Sequence, residues 1–265
     1  MRTIMRNFIL VIIFILICLN MLAYCTLYSQ NDTVDTIQNA IESDKINKKT
    51  WLNQNYMYGI DITKYPGDTE IFLHENKNYL AFIMFKATEG VSITDSYCTE
   101  NISKAKNMDL ICGAYHLFKC NEDPIEQAKS YLSIYKNLNS NDLPPIVKVD
   151  DDCINESINK YELQLKLLDF LDYIQKKTKH KTIIYTDLDF ANKYLTDTIF
   201  AEYALWIGSF KEKNSPELPD AWRITLWTFW QKAFNYGKKA SFIELDVFNG
   251  NYSKLQKFIK ESRNR

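Results

Sequence analysis

From Tyr56 to the C-terminus the chain alternates short, nearly continuous apolar runs with longer amphipathic stretches. The runs at 56–62, 80–87, 110–118, 144–150, 182–187, 203–210, 224–231 and 242–248 are rich in β-branched and aromatic residues. Apolarity without strict alternation is the mark of strands covered on both faces, hence of a parallel sheet with outer helices. Helical patterns fall between the early strands, at 96–109, 122–138, 155–177 and 187–195, and one closes the chain at 252–262. In the second of these, Pro124 fits a first-turn position, and Ile125, Ala128, Leu132 and Tyr135 repeat at helical spacing. In the third, Ile158, Leu165, Leu168, Leu171 and Ile174 are expected on one face. The last three strands are joined by polar stretches, 211–223 and 232–241, that read as loops. The pattern predicts an α/β, TIM-like barrel that is (β/α) in its first part and mostly β at its end, with domain bounds 55–265.

The first 25 residues do not fit that pattern. Arg2 and Arg6 precede an unbroken apolar run from Phe8 to Leu19. This reads as a signal peptide or an uncleaved membrane anchor that places the rest of the chain outside the cytoplasm, secreted or anchored. Cys25 stands where a lipidated residue would. Residues 26–54 are polar and read as a stalk.

The remaining composition is that of an ordinary globular domain, 46% hydrophobic and 25% charged. A net charge of −1 without a basic tract gives no support to a nucleic-acid partner. Cys98, Cys112, Cys120 and Cys153 have no zinc-site spacing and allow three disulfide pairings, or none. Eight extended residues span roughly 26 Å, which argues against a Cys112–Cys120 bridge. No cofactor or metal is expected.

Parallel barrels gather their chemistry at the C-terminal ends of the strands. Those ends carry Asp61, Glu89, His116, Asp150, Asp152, Thr186, Asp187, Gly208, Gln231, Glu244 and Asp246. Tyr115, Tyr185, Trp206 and Trp230 lie near them in sequence. Carboxylates with aromatic neighbours suit a carbohydrate, and glycoside hydrolysis needs one carboxyl as acid and another as nucleophile or base. A strand-end aspartate can equally be a helix cap, and His116 a satisfied core histidine.

The pieces YGIDITKYPGD (58–68), FIMFKATEG (82–90), GAYHLF (113–118), LPPIVKVD (143–150), IIYTDLDFANKYL (183–195), LWIGSF (205–210), LWTFWQ (226–231) and ELDVFNG (244–250) occur in an order that resembles family 25 glycoside hydrolases. The resemblance implies a (β/α)5(β)3 barrel and a muramidase that cleaves the β-1,4 bond after N-acetylmuramic acid, so that peptidoglycan strands are the partner. It implies catalytic roles for Asp61, Asp150 and Glu244, and sugar contacts from Tyr115, Tyr185, Trp206, Trp230 and Asp246. Two positions depart from the family. Its fourth strand ends Asp-x-Glu, where this chain has Lys148 and Asp150, and its closing Asp-x-Asn is here Glu244 and Asp246. Lys148, roughly 6.6 Å from Asp150 along the strand, is expected to hold that carboxyl's pKa down, against the role of a proton donor. The alternative to a working enzyme is a catalytically impaired barrel that binds glycan or regulates.

Overall fold

The computed structural model describes residues 55–62, 79–154, 158–210, 215–232 and 243–263. The expected export segment and stalk lie outside them, as does most of the loop expected at 232–241. Eight strands form a closed barrel. In chain order they are β1 (Met57–Ile62), β2 (Phe82–Glu89), β4 (Ile111–Leu117), β5 (Ile146–Lys148), β6 (Ile183–Asp187), β7 (Ala204–Gly208), β8 (Phe229–Gln231) and β9 (Ile243–Phe248). A two-residue strand, β3 (Ile93–Thr94), folds back on β2.

The sheet order is β1-β9-β8-β7-β6-β5-β4-β2, and a β1–β2 pairing closes it. Every neighbouring pair is parallel except the two made by β9. Parallel neighbours need a crossover. Here α1 (Cys98–Lys106), α2 (Pro124–Tyr135), α3 (Lys160–Thr178) and α4 (Leu188–Tyr194) lie in the connections between β2 and β7. The expected α/β barrel is therefore present.

Because β9 runs backwards, its first residues sit at the mouth where the other strands end. Glu244 is the register partner of Asp61, and Asp246 is the partner of both Gly59 and Gln231. The two acids lie at the functional end although they begin their strand.

Alternate residues point into the barrel. Phe82, Met84, Tyr115, Ile146, Ile183, Tyr185, Trp206, Phe229 and Phe248 form its core. Leu255 and Ile259 of the closing helix α5 (Tyr252–Glu261) join the same cluster, so that helix packs against the barrel filling rather than against its wall. At Gly59 an added Cβ would sit 2.3 Å from the Phe82 ring, so only glycine lets β1 approach that filling.

Helix starts follow the sequence closely. Asp123 accepts from the backbone N–H groups of Ile125 and Glu126, with Pro124 in the first turn. Asn159 caps α3, and Lys179 ends it in the left-handed region at φ 63°.

The buried face of α3 differs from the expected one. Leu163, Leu167, Phe170, Leu171 and Ile174 are buried, whereas Leu165 is 64% exposed. A row of residues spaced by three drifts about 60° around a helix at each step. Leu165 and Ile174, nine apart, therefore face opposite ways. In α2 the buried residues are Gln127, Ala128 and Tyr131, with Ile125, Leu132 and Tyr135 half-buried beside them.

Strand β8, the seventh of the barrel, is also shorter than expected. Asp220–Trp222 form a 3-10 turn, Leu226 has φ 67°, and Ile224 is 94% exposed. Only Phe229–Gln231 of the run at 224–231 pair as strand. Of the three cysteine pairings, the fold selects Cys120–Cys153, with Cys98 and Cys112 left as buried thiols.

Candidate active site

The upper interior of the barrel is polar. Asp61 on β1 is fully buried, and its Oδ1 accepts from Nε2 of Gln231 on β8 at 2.7 Å. Gln231 Oε1 in turn accepts from the Tyr185 hydroxyl at 2.6 Å. Asp246 accepts from the Trp206 indole N–H at 2.7 Å. Four other oxygens buried at this mouth have no hydrogen-bond partner among the described residues: Asp61 Oδ2, Asp246 Oδ2, Glu244 Oε2 and Tyr115 Oη. Buried polar atoms are rarely left so, and a cluster of them is what a hydroxyl- and amide-bearing ligand would satisfy.

Burial pushes the Asp61 carboxyl up to about 7, with the charge of Glu244 adding to the rise and Lys148 opposing it. Burial, and then the charge of Asp61, raises Asp246 well above the usual carboxylate range. Burial thus favours the protonated form of both carboxyls, and Asp61 changes charge close to neutral pH.

Lys148 points into this mouth. Its Nζ lies 4.0 Å from the centre of the Tyr185 ring and 6.0 Å from those of Tyr115 and Trp206. Among the described residues it forms no ion pair. A cation thus stands among the carboxyls of the mouth.

Asp150 lies just beyond β5 and caps the 3-10 turn Asp151–Cys153 through a 3.1 Å hydrogen bond from the Asp152 N–H. Lys148 lowers the Asp150 pKa as expected, but the net shift is upward. Burial raises Asp150 to about 6, outweighing the lowering by Lys148, and Asp152 adds to the rise. The turn is pinned from several sides. Cys153 is bridged to Cys120, Cys120 N–H donates to the Cys153 carbonyl, and Lys119 Nζ donates to the Asp152 carbonyl. Asp150 also lines an open cleft of about 510 Å3, together with Asp151, Asp152, Tyr185, Asp187 and Phe210. Tyr185 connects this cleft to the barrel interior, since its hydroxyl reaches Gln231 and, through it, Asp61.

The profile of glycosyl hydrolases family 25 matches residues 60–239. The chain belongs to glycosyl hydrolase family 25. It is 26% identical over 210 residues to the uncharacterised protein YegX of Escherichia coli K12, covering 77% of this chain and 73% of YegX. Lysozyme M1 of Streptomyces globisporus is 22% identical over 207 residues, 74% of this chain and 69% of that one. The structure of a family 25 glycosyl hydrolase from Bacillus anthracis superposes with a TM-score of 0.62 at 25% identity, covering 76% of this chain and 93% of that one.

Within this family 25 barrel the expected site residues divide into three groups. Asp61, Glu244, Asp246 and Tyr115 lie in the barrel mouth, whereas Asp150 and Tyr185 line the cleft. Trp206 and Trp230 are buried, and their indole N–H groups donate to Asp246 and to the Ser209 carbonyl, so neither presents an open ring face. His116 is a core residue. Its Nε2 donates to Gln127 Oε1 at 3.1 Å, its Nδ1 lies 2.8 Å from the Thr88 hydroxyl, and its ring stacks on Phe170. Burial lowers it to about 4, so it is neutral in the ordinary pH range.

Glu89 is engaged with Lys86 and Lys119. The register of β2 against β4 slips between Lys86 and Thr88. That extra residue brings Lys86 and Glu89, three apart, to the same side of the strand, where they pair.

The sequence reading missed Phe210, 56% exposed at the cleft, as well as Ser209 and Glu217. Phe210 follows the end of β7 by two residues, so extending the strand-end rule by one turn would have found it.

Proposed function

We propose that this protein is a muramidase that acts outside the cytoplasm, hydrolysing the β-1,4 bond after N-acetylmuramic acid in peptidoglycan. Asp150 is the proton donor in this reading, with Asp61 or Glu244 serving the opposite side of the sugar. The observation that carries it is Asp150 itself, a carboxyl held at about 6 by burial in the wall of the cleft. A general acid works best with a pKa near the working pH. The relatives named as lysozymes support the substrate class, and the Cys120–Cys153 bridge suits an oxidising compartment. Residues 1–25 would serve as export segment or anchor and 26–54 as stalk.

Lys148 favours a second reading, a barrel that binds glycan without cleaving it, because a cation replaces the family's acid. Incubation of the purified protein with insoluble peptidoglycan separates the two. The first reading expects reducing ends to be released, a rate that falls as pH rises through about 6, where Asp150 loses its proton, and a loss of about 100-fold or more in Asp150→Asn. Retention on peptidoglycan with no release, together with release by the double variant Lys148→Asp, Asp150→Glu, would establish the second.

A further inference from the structure

Lys148 has no assigned part in either reading, yet its surroundings are specific. The ammonium rests over the face of Tyr185, its register partner on the next strand. The hydroxyl of that ring donates to Gln231 Oε1, and Gln231 Nε2 donates to Asp61 Oδ1. An amide oxygen only accepts and an amide nitrogen only donates, so the chain runs in one direction, from Tyr185 to Asp61. The space for it is kept by Gly208, where an added Cβ would lie 2.5 Å from the Tyr185 hydroxyl.

We propose that Lys148 is a positioning residue that acts on Asp61 through Tyr185 and Gln231, fixing Asp61 Oδ1 and leaving Oδ2 as the oxygen that meets the sugar. The catalytic part of this inference rests on the muramidase reading, but the relay itself does not. A cation on the ring face draws electron density from the phenol and makes its O–H a stronger donor. Hydrogen bonds in a buried chain polarise one another, so the effect passes to the Gln231 amide and on to the Asp61 carboxylate. Tyr185 stays protonated and able to donate, since burial raises it well above its ordinary value.

Asp61 Oδ1 is occupied by Gln231, whereas Oδ2 is buried, has only the Asp246 carboxyl beside it and accepts from no other donor among the described residues. Among the described residues, the ionisable groups around Asp61 are Glu244 and Asp246 on β9, Lys148 on β5, Tyr115 on β4 and Tyr185 on β6. Lys148 is the only cation among them, so its removal has a defined sign. Without it Asp61 ionises less readily. The position that in the family carries an acid is thereby used to ease the ionisation of another acid against its burial.

The test follows Asp61 in the full-length protein by carbon-13 NMR of labelled aspartate carboxyls, assigned with Asp61→Asn. Lys148→Met is expected to raise the Asp61 midpoint by about one pH unit, and Lys148→Arg to leave it within about 0.3. In a Tyr185→Phe background, or in Gln231→Leu should the first not fold, the same Lys148→Met change is expected to move the midpoint by less than half as much. Equal movement with and without the relay, or no movement in either, overturns the proposal.

Kinetics on peptidoglycan add a second reading. Lys148→Met should lower kcat about tenfold with KM nearly unchanged. A raised KM at constant kcat would make Lys148 a substrate contact instead and refute the positioning role. A wild-type protein with no turnover would refute the muramidase reading while leaving the titration result to decide the relay.

Discussion

Asp61→Asn should stabilise the protein, and increasingly so as pH rises. The carboxyl is lifted from 3.8 to about 7 in the folded state, a gap of roughly three pH units, which corresponds to something on the order of 4 kcal/mol. The folded chain holds a proton there that the unfolded chain has lost. A raised folded pKa contributes stability that is complete below the unfolded value and is lost as pH rises through the folded one. Asparagine carries no charge, so it escapes that loss. Its oxygen can still accept from Gln231, and its amide would meet the Asp246 carboxyl, which neighbours Asp61 and whose Oδ2 has no other partner. Urea unfolding of both proteins at pH 5, 6, 7 and 8 measures the difference. The advantage of the variant should grow by about 1.4 kcal/mol per pH unit up to about 7 and then level off, about 3 kcal/mol in all over that range. Asp150 titrates in both proteins, and since the charge of Asp61 acts on Asp246, the difference reports the Asp61–Asp246 pair. A stability difference that stays flat from pH 5 to 8 would refute the reasoning and mean that Asp61 is not held protonated by its burial.

Two further outcomes follow from the fold. Replacing Cys120 and Cys153 together by alanine removes a bridge between residues 33 apart in sequence, which by chain entropy stabilises the protein by about 4 kcal/mol, and calorimetry should register a Tm drop of roughly 10 °C. A drop under about 2 °C would show that the bridge does little to restrict the unfolded chain. On α3, Leu167→Ala should cost about 3 kcal/mol in urea unfolding because the side chain is fully buried, whereas Leu165→Lys should stay within about 0.5 kcal/mol. Comparable losses at the two positions would put the buried face where the spacing of three had suggested.

The barrel was legible because each strand is a nearly continuous apolar run set between polar or amphipathic stretches. Strand ends were less so. The stretch 224–231 holds Ile224, Leu226, Trp227, Phe229 and Trp230, yet its first half turns outward, with Ile224 in solvent and Leu226 at positive φ. Pairing needs a neighbour at the right height, and β8 finds register partners on β7 only from Phe229 to Gln231. That constraint is tertiary and leaves no mark in the run itself. The face of α3 failed for a geometric reason, since leucines at both three- and four-residue spacings offer two stripes and only packing against α2 and the barrel selects one. The reversal of β9 was equally invisible, but its consequence was not. Glu244 and Asp246 were found by position in a family pattern, and the antiparallel register explains why acids at the start of a strand share a mouth with Asp61.

The site shows where reasoning from neighbours along a strand stops. Lys148 and Asp150 are two residues apart, and that spacing alone gives the lysine the decisive effect on the acid. In the fold the ammonium is held over Tyr185, and Asp150 turns aside to cap the 3-10 segment, with Asp152 and Asp187 adding their charge nearby. Burial is the largest influence on Asp150, and it is a property of everything packed around the group rather than of any one residue in the sequence. The same holds one layer deeper, where burial outweighs each individual charge at Asp61 and Asp246. A single lysine therefore does not by itself set the protonation of a mouth of carboxyls. Its sign at any one acid is fixed by charge, but its weight depends on how far the packing has already driven that acid toward its protonated form.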